Sequence, residues 1–265
     1  MTRFAMLLVS VVLLASALPA PAAETLESVE QKIARQAAGW KTLQYIVRAT
    51  MSAADGQTSV NTVTEGHFQF VRKPDRKMLY RQEGKTRRVI KTPGQPDQVE
   101  EGTFLVIFDG THVYQLTQVE DQKTATRTAA ARQPDAFDVA EADLDRLRKD
   151  YNLKLLPDAA IDSRKAYVIE AVPKKKPGPG DPGRIVNYYD KQTGLPLKSV
   201  IYDAAGKDMI STSIADSRVN ADIPAERFVF RPPPGVELLD MTRLVDTTQP
   251  GDIVDETVPP ERPDE

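Results

Sequence analysis

Apolar and polar residues alternate with a period of two along most of this chain, most plainly between Arg184 and Val236. There Ile185–Tyr189, Leu195–Tyr202 and Met209–Val219 are apolar-rich runs, separated by the polar clusters Asp190 to Gly194 and Asp203 to Lys207. Aspartate accepts hydrogen bonds from backbone two residues on, and glycine takes positive φ without steric penalty, so each cluster reads as a chain reversal. Leu195, Leu197 and Ile201 share one parity against Lys198, while Ile210, Thr212 and Ile214 alternate with Ser211, Ser213 and Ala215. The pattern predicts an antiparallel meander with one apolar face that something must cover.

Taken in order, Glu24 to Leu43 reads as a helix, because Leu26, Val29, Ile33, Ala37 and Trp40 recur three or four residues apart. Glu24, Glu27 and Glu30 sit near its start, where negative charge suits the helix dipole. Strands are predicted at Tyr45–Met51 and Val60–Val71, with Asp55-Gly56 as the turn between them. Lys77–Arg81 and Arg87–Lys91 read as two short strands joined across Glu83-Gly84-Lys85, and Thr92–Gly102 as a surface loop. Thr103–Phe108 and His112–Thr117 flank the strongest turn signal, Asp109-Gly110, and make a hairpin buried on both sides. Gln118 to Gln133 is polar and reads as a loop. Pro134 to Tyr151 is the second helix, with Phe137, Ala140, Leu144, Leu147 and Tyr151 on one stripe and Asp135 as N-cap. Strands follow at Leu153–Leu156 and Ala166–Val172, then the Pro- and Gly-rich loop Lys174–Gly183. Phe228–Phe230 closes the sheet before Pro232-Pro233-Pro234-Gly235.

The fold class that results is α+β, mostly antiparallel β: roughly ten strands and two amphipathic helices. Twist accumulates over that many strands and curls the sheet. The expected architecture is therefore a curved, unclosed β-barrel, a half-barrel whose concave face the two helices cover. Phe68, Phe70, Leu79, Phe104, Val106, Phe108, Tyr114, Tyr189, Leu197, Ile201, Ile214 and Phe228 are placed on sheet faces. With Phe137 and Leu144 from the second helix, all but Phe228 form the candidate lining of a hydrophobic cavity. Packing beneath the helices explains any one of them equally well. A pocket requires, in addition, space between helices and sheet.

Composition divides the 265-residue chain into leader, body and tail. Arg3, the apolar run Met6 to Leu18, and the small residues Ala20 and Ala22 follow the pattern of a secretory signal peptide over residues 1–22. The run is short for a membrane span. There is no cysteine, hence no disulfide and no thiol for lipid attachment. The expected mature protein is periplasmic, soluble and not lipidated. One domain spans 23–240. Residues 241–265 carry Asp246, Asp252, Asp255, Glu256, Glu261, Asp264 and Glu265 against Arg243 and Arg262, and read as a disordered acidic tail. Without it the body is close to neutral, which disfavours nucleic acid as a partner.

Catalytic chemistry has little to build on. His67 and His112 are the only histidines, each in a strand, and they read as strand-surface residues. No paired-histidine metal motif, G-x-S-x-G or phosphate-cradling glycine loop occurs, so neither enzyme activity nor a metal or cofactor is expected. The Lys174-Lys175-Lys176 triplet reads as a solvated loop.

Four phrases carry a family resemblance: KPDRKMLY at 73–80, FDGTHVY at 108–114, YYDKQTGLPLKSVIYDAAGK at 188–207 and RVNADIPAERFVFRPPPGVELLD at 218–240. With the order of elements over about 24–240, they resemble the periplasmic lipoprotein carrier superfamily of the LolA/LolB type, in its divergent lipoprotein-sorting branch. The resemblance implies an unclosed barrel with a helical lid that holds acyl chains. It also implies acylated lipoproteins or lipids as ligands, donor and acceptor proteins at the inner and outer membranes, and a monomeric carrier. A sensor or scaffold of the same fold, reporting envelope lipid or lipoprotein state to a protein partner, is the alternative. The loop at 174–183, the connection at 118–133 and the acidic tail depart from the family's pattern. No gating residue of the family matches a particular position here.

Overall fold

The computed structural model describes residues 24–54, 57–73, 78–129, 144–178 and 180–242. The leader, the Asp55-Gly56 turn, the first part of the second helix with Phe137, and the tail beyond Thr242 lie outside the described residues. Helix α1 (Leu26–Ala38) is followed by β1 (Thr42–Ala54), β2 (Ser59–Arg72), β3 (Met78–Lys91), β4 (Gln98–Phe108), β5 (His112–Val119) and β6 (Gln122–Ala129). Helix α2 (Leu144–Asp150) then leads into β7 (Tyr151–Ile161), β8 (Arg164–Pro173), β9 (Arg184–Asp190), β10 (Pro196–Tyr202), β11 (Asp208–Val219) and β12 (Leu238–Asp240).

All twelve strands join one sheet in the order β12-β6-β5-β4-β3-β2-β1-β11-β10-β9-β8-β7. The chain therefore lays two meanders side by side, with β1 pairing β11 where they meet. Among the described residues the two ends of the sheet do not pair with each other, so it is a curved, open half-barrel, mostly antiparallel, as the pattern predicts.

Both helices lie on one face. Thr25 caps α1 through a reciprocal pair of hydrogen bonds with Ser28, which satisfies backbone donors that helix geometry leaves unpaired. Val29, Ile33 and Ala37 form its buried stripe. Val29 and Ile33 pack with Leu144 of α2 on Tyr167, Ile169 and Tyr189. Ala37 and Trp40 pack on Leu43, Tyr45, Phe68, Phe70, Tyr80 and Leu195.

The β9–β10 hairpin holds α1 in place. Gln36 Nε2 donates to the carbonyls of Lys191 and Gln192, and Trp40 Nε1 donates to that of Thr193 at 3.0 Å. Gly194 has φ of 72°, and a Cβ there would lie 3.0 Å from Ile33 O and Gln36 Cβ. The T-G-L-P stretch is thus the seat of the first helix.

The C-terminal segment packs on part of the opposite face. Asn220 accepts from Lys41 N through Oδ1 at 2.7 Å and turns the chain beneath β1. Ile223 and Phe228 then pack on Leu79 and Val71. Arg227 bridges Gln69 and Glu83, and the Phe230 ring stacks on Tyr114 at 5.1 Å.

Several boundaries differ from the sequence reading. The region around Gly84 is no turn: β3 runs unbroken for 14 residues, with Gly84 directly opposite Gly66 of β2. β4 begins at Gln98, inside the expected loop, because its Glu100 and Glu101 face Arg88 and Arg87 of β3. The polar stretch after Gln118 contains β6, whose residues Gln122–Ala129 gain strand geometry by pairing with β5. Phe228 ends a 3-10 turn, Ala225–Phe228, and the sheet's last strand is β12, added parallel to β6.

Candidate functional site

The helix-bearing face of the sheet is the candidate site, and an aromatic row forms its floor. Direct cross-strand neighbours on one face come within reach of one another, and the register brings Tyr45 opposite Phe68, then Phe70 opposite Tyr80 and Tyr80 opposite Phe108. Ring centroids are 4.9 Å apart for Tyr45–Phe68, 6.5 Å for Phe68–Tyr80 and 5.4 Å for Tyr80–Phe108. These are distances at which aromatic pairs attract beyond simple burial. Burial raises the hydroxyl pKa of Tyr45, Tyr80 and Tyr189, because a phenolate would lose its water. The phenols therefore stay neutral, and the floor carries no charge of its own.

At the Phe108 end of the row and beside its buried members, Tyr45, Phe68, Phe70 and Tyr80, the face is apolar but only half-buried. Val47, Val106, Phe108 and Ile214 are partly buried and pack against the row. Val47 and Ile214 are register partners, as are Val106 and Gln82, so the strip crosses both meanders.

Three glycines, Gly66, Gly84 and Gly102, stand where neighbouring strands of the sheet press closest. A Cβ on Gly66 would lie 2.5 Å from Glu83 O, one on Gly84 2.2 Å from Glu65 O, and one on Gly102 2.8 Å from Gln118 O. Neighbouring backbones approach there more closely than any side chain allows, which is how glycine permits sharp curvature in a sheet.

The candidate lining residues divide among three places. Phe68, Phe70, Val106, Phe108 and Ile214 come together on the floor under α1. Leu144 and Tyr189 join the second cluster, beneath α1 and α2. Leu197 is fully buried in β10, Ile201 and Phe104 are half-buried, and Phe137 lies outside the described residues. Leu79 and Tyr114 are corrections. Leu79 is one residue from Tyr80 and so points to the other face, under Ile223 and Phe228, and Tyr114 faces Phe230 there. Side chains on opposite faces of one sheet cannot line the same hollow.

The candidate lining did not include Trp40, Tyr45, Tyr80, Tyr167 and Leu195, all buried on the helix-bearing face. Tyr45 and Tyr80 carried a signal. Each is in phase with neighbours that the same alternation selects.

A second feature occupies the opposite face. A groove of about 720 Å³ lies across β2, β3 and β4, lined by Ile46, Val63, Glu65, His67, Lys85, Arg87, Glu101, Thr103 and Gln118 among others. A smaller groove of about 350 Å³ adjoins it and reaches Leu116, Lys123 and Pro233. In the larger groove Glu65 is the register partner of Lys85, and Arg87 pairs with Glu101 at 3.3 Å. His67 is exposed on this face, whereas His112 is half-buried and its ring meets Tyr114 edge-on. Among the described residues no group of three or more His, Asp or Glu side chains is placed to hold a metal ion.

No family model matches the chain. An uncharacterized protein of Methanocaldococcus jannaschii is 25% identical over 145 residues, which are 53% of this chain and 39% of that protein. The chain thus spans well under half of that relative. Among solved structures, a conserved uncharacterized protein of Thermus thermophilus overlaps 81% of this chain and 98% of its own, at 10% identity and a TM-score of 0.47. MucB overlaps 77% of this chain and 62% of its own, at 14% identity and a TM-score of 0.43. A lipoprotein-sorting domain of Vibrio parahaemolyticus overlaps 76% and 94%, at 15% identity and a TM-score of 0.32. A LolA superfamily protein of Nitrosomonas europaea is also similar, at a TM-score of 0.26.

Proposed function

We propose that this protein is an exported lipid- or lipoprotein-binding protein that shelters acyl chains on the helix-bearing face of its half-barrel and escorts them between membranes. The observation that carries this reading is the half-buried strip of Val47, Val106, Phe108 and Ile214 beside a buried aromatic floor. Each methylene withdrawn from water contributes about 0.8 kcal/mol, so one long acyl chain needs roughly 10 kcal/mol of shelter to cross an aqueous compartment. An apolar floor without formal charge supplies that kind of contact, and carriage needs no covalent step. The leader-like start of the sequence supports export. The absence of cysteine supports a carrier without its own lipid anchor.

The test is direct. Delipidated mature protein should take up a fluorescent fatty acid saturably, and Val106→Glu or Ile214→Glu should abolish uptake while the circular dichroism spectrum is kept. Val99→Glu, at an exposed position of the other face, should leave uptake unchanged. Absence of uptake together with absence of acyl lipid in extracts of the purified protein overturns the reading.

A further inference from the structure

Among the described strands, one edge of the sheet is made unlike any other part of it. Every neighbour pair is antiparallel except β12 with β6, which is parallel and three residues long. Leu238, Leu239 and Asp240 sit opposite Ala125, Thr126 and Arg127, although β6 runs from Gln122 to Ala129. Gln122–Thr124 and Thr128–Ala129 thus have no strand partner on this side among the described residues. The hold is slight: Asp240 pairs with Arg127 at the surface, and Met241 N donates to Arg127 O at 2.8 Å. Leu239 is 48% exposed. The chain reaches β12 through Pro232-Pro233-Pro234, which donate no backbone hydrogen bond.

We propose that the β6 edge is a strand-addition site for an extended segment of another polypeptide, and that β12 is a short stand-in that such a segment displaces. An exposed strand edge offers a row of backbone donors and acceptors as a ready template, and side chains on alternate positions give it specificity. A segment paired along all eight residues of β6 makes more ladder hydrogen bonds than β12 does, and an antiparallel ladder is the slightly more stable kind.

The side chains beside the edge define the partner's chemistry. Lys123, Ala125 and Arg127 alternate on the face that carries the C-terminal segment, and Lys123 is exposed. They select an acidic, an apolar and an acidic residue at alternate positions of the incoming strand. β12 already shows part of that complementarity, with Leu238 opposite Ala125 and Asp240 opposite Arg127. This site lies on a different element and edge from the acyl-binding strip, so either can fail without the other.

A dye-labelled synthetic peptide, Ser-Glu-Thr-Val-Thr-Glu-Ser, titrated with the full mature chain and followed by anisotropy, tests the proposal. Saturable binding is expected. Asp240→Ala, which loosens the stand-in, should tighten it several-fold, and adding Arg127→Glu to that variant, where no Arg127–Asp240 pair remains to be lost, should weaken it several-fold. A peptide in which only the glutamate facing residue 127 is replaced by lysine should regain affinity for Arg127→Glu. Lys123→Glu provides the same test at a side chain with no role in holding β12, should Arg127→Glu fail to fold. The proposal is overturned if the peptide does not bind, if Asp240→Ala leaves affinity unchanged, or if charge reversal on both partners fails to restore it.

Discussion

The two ends of β2, β3 and β4 are built from the same strands by different physics. On one side of the Gly66–Gly84–Gly102 line the strands carry Phe68, Phe70, Tyr80 and Phe108 into the packed floor beneath α1. On the other side they continue as a solvated ribbon. Arg88 pairs there with Glu100 at 3.5 Å, Lys91 with Asp97 at 3.1 Å, and the hydroxyls of Thr64 and Thr86 lie 3.3 Å apart. The ladder alone, with cross-strand pairs, extends each strand well past the core. Burial decides which end is stable, while backbone pairing decides how far the strands reach.

The sharpest way to break that contrast is Phe68→Ala. Removing a buried ring should cost about 4 kcal/mol in chemical denaturation, where Val63→Ala in the half-buried ribbon should cost far less. Next comes Gly84→Ala at the boundary. Its methyl group would meet the Glu65 carbonyl, and overpacking of this kind costs about 2 kcal/mol. The expected result is a lowered melting temperature with the aromatic floor intact by near-ultraviolet dichroism.

Trp40→Phe keeps most of the ring's packing but removes the hydrogen bond to Thr193 O, and should cost about 1 kcal/mol. It isolates what the β9–β10 hairpin contributes to holding α1.

Glu24 sharpens the comparison among ion pairs. The hydrogen bond from Lys32, with help from Tyr167 and Lys191, holds its pKa down to about 2 against an ordinary value of 4.5. The folded state favours the ionised form, so this contribution is fully present above about pH 4.5 and is lost as pH falls toward 2. Denaturation of Glu24→Gln across that window should show a weaker pH dependence than the parent protein. Smallest of all is Arg88→Ala. Exposed pairs are worth little, and the loss should stay within about 0.5 kcal/mol.

These contrasts also explain what the sequence could show. Alternation located Phe68, Phe70, Val106 and Phe108 on one face, because a period of two needs no knowledge of the partner strand. It placed the Asp109-Gly110 turn, whose Asp109 Oδ1 accepts from the backbone of Thr111 and His112, because those residues act locally. It misread Gly84 as a turn because a glycine between charged residues looks the same in a hairpin and at a bend. Only the register with Gly66 distinguishes them. It passed over β6 because a segment as polar as Gln122–Ala129 becomes a strand through its neighbour and not through its own pattern.

The helix stripe, the meander from Ile185 to Val219 and its turns are legible in the order of residues, since each rests on interactions within a few residues. Long-range packing settled that Leu79 and Tyr114 face away from the floor, that a C-terminal segment packs on part of the second face, and that its last strand joins β6 in parallel. Those outcomes depend on pairings between residues as distant as Arg127 and Asp240, and local pattern carries no record of them.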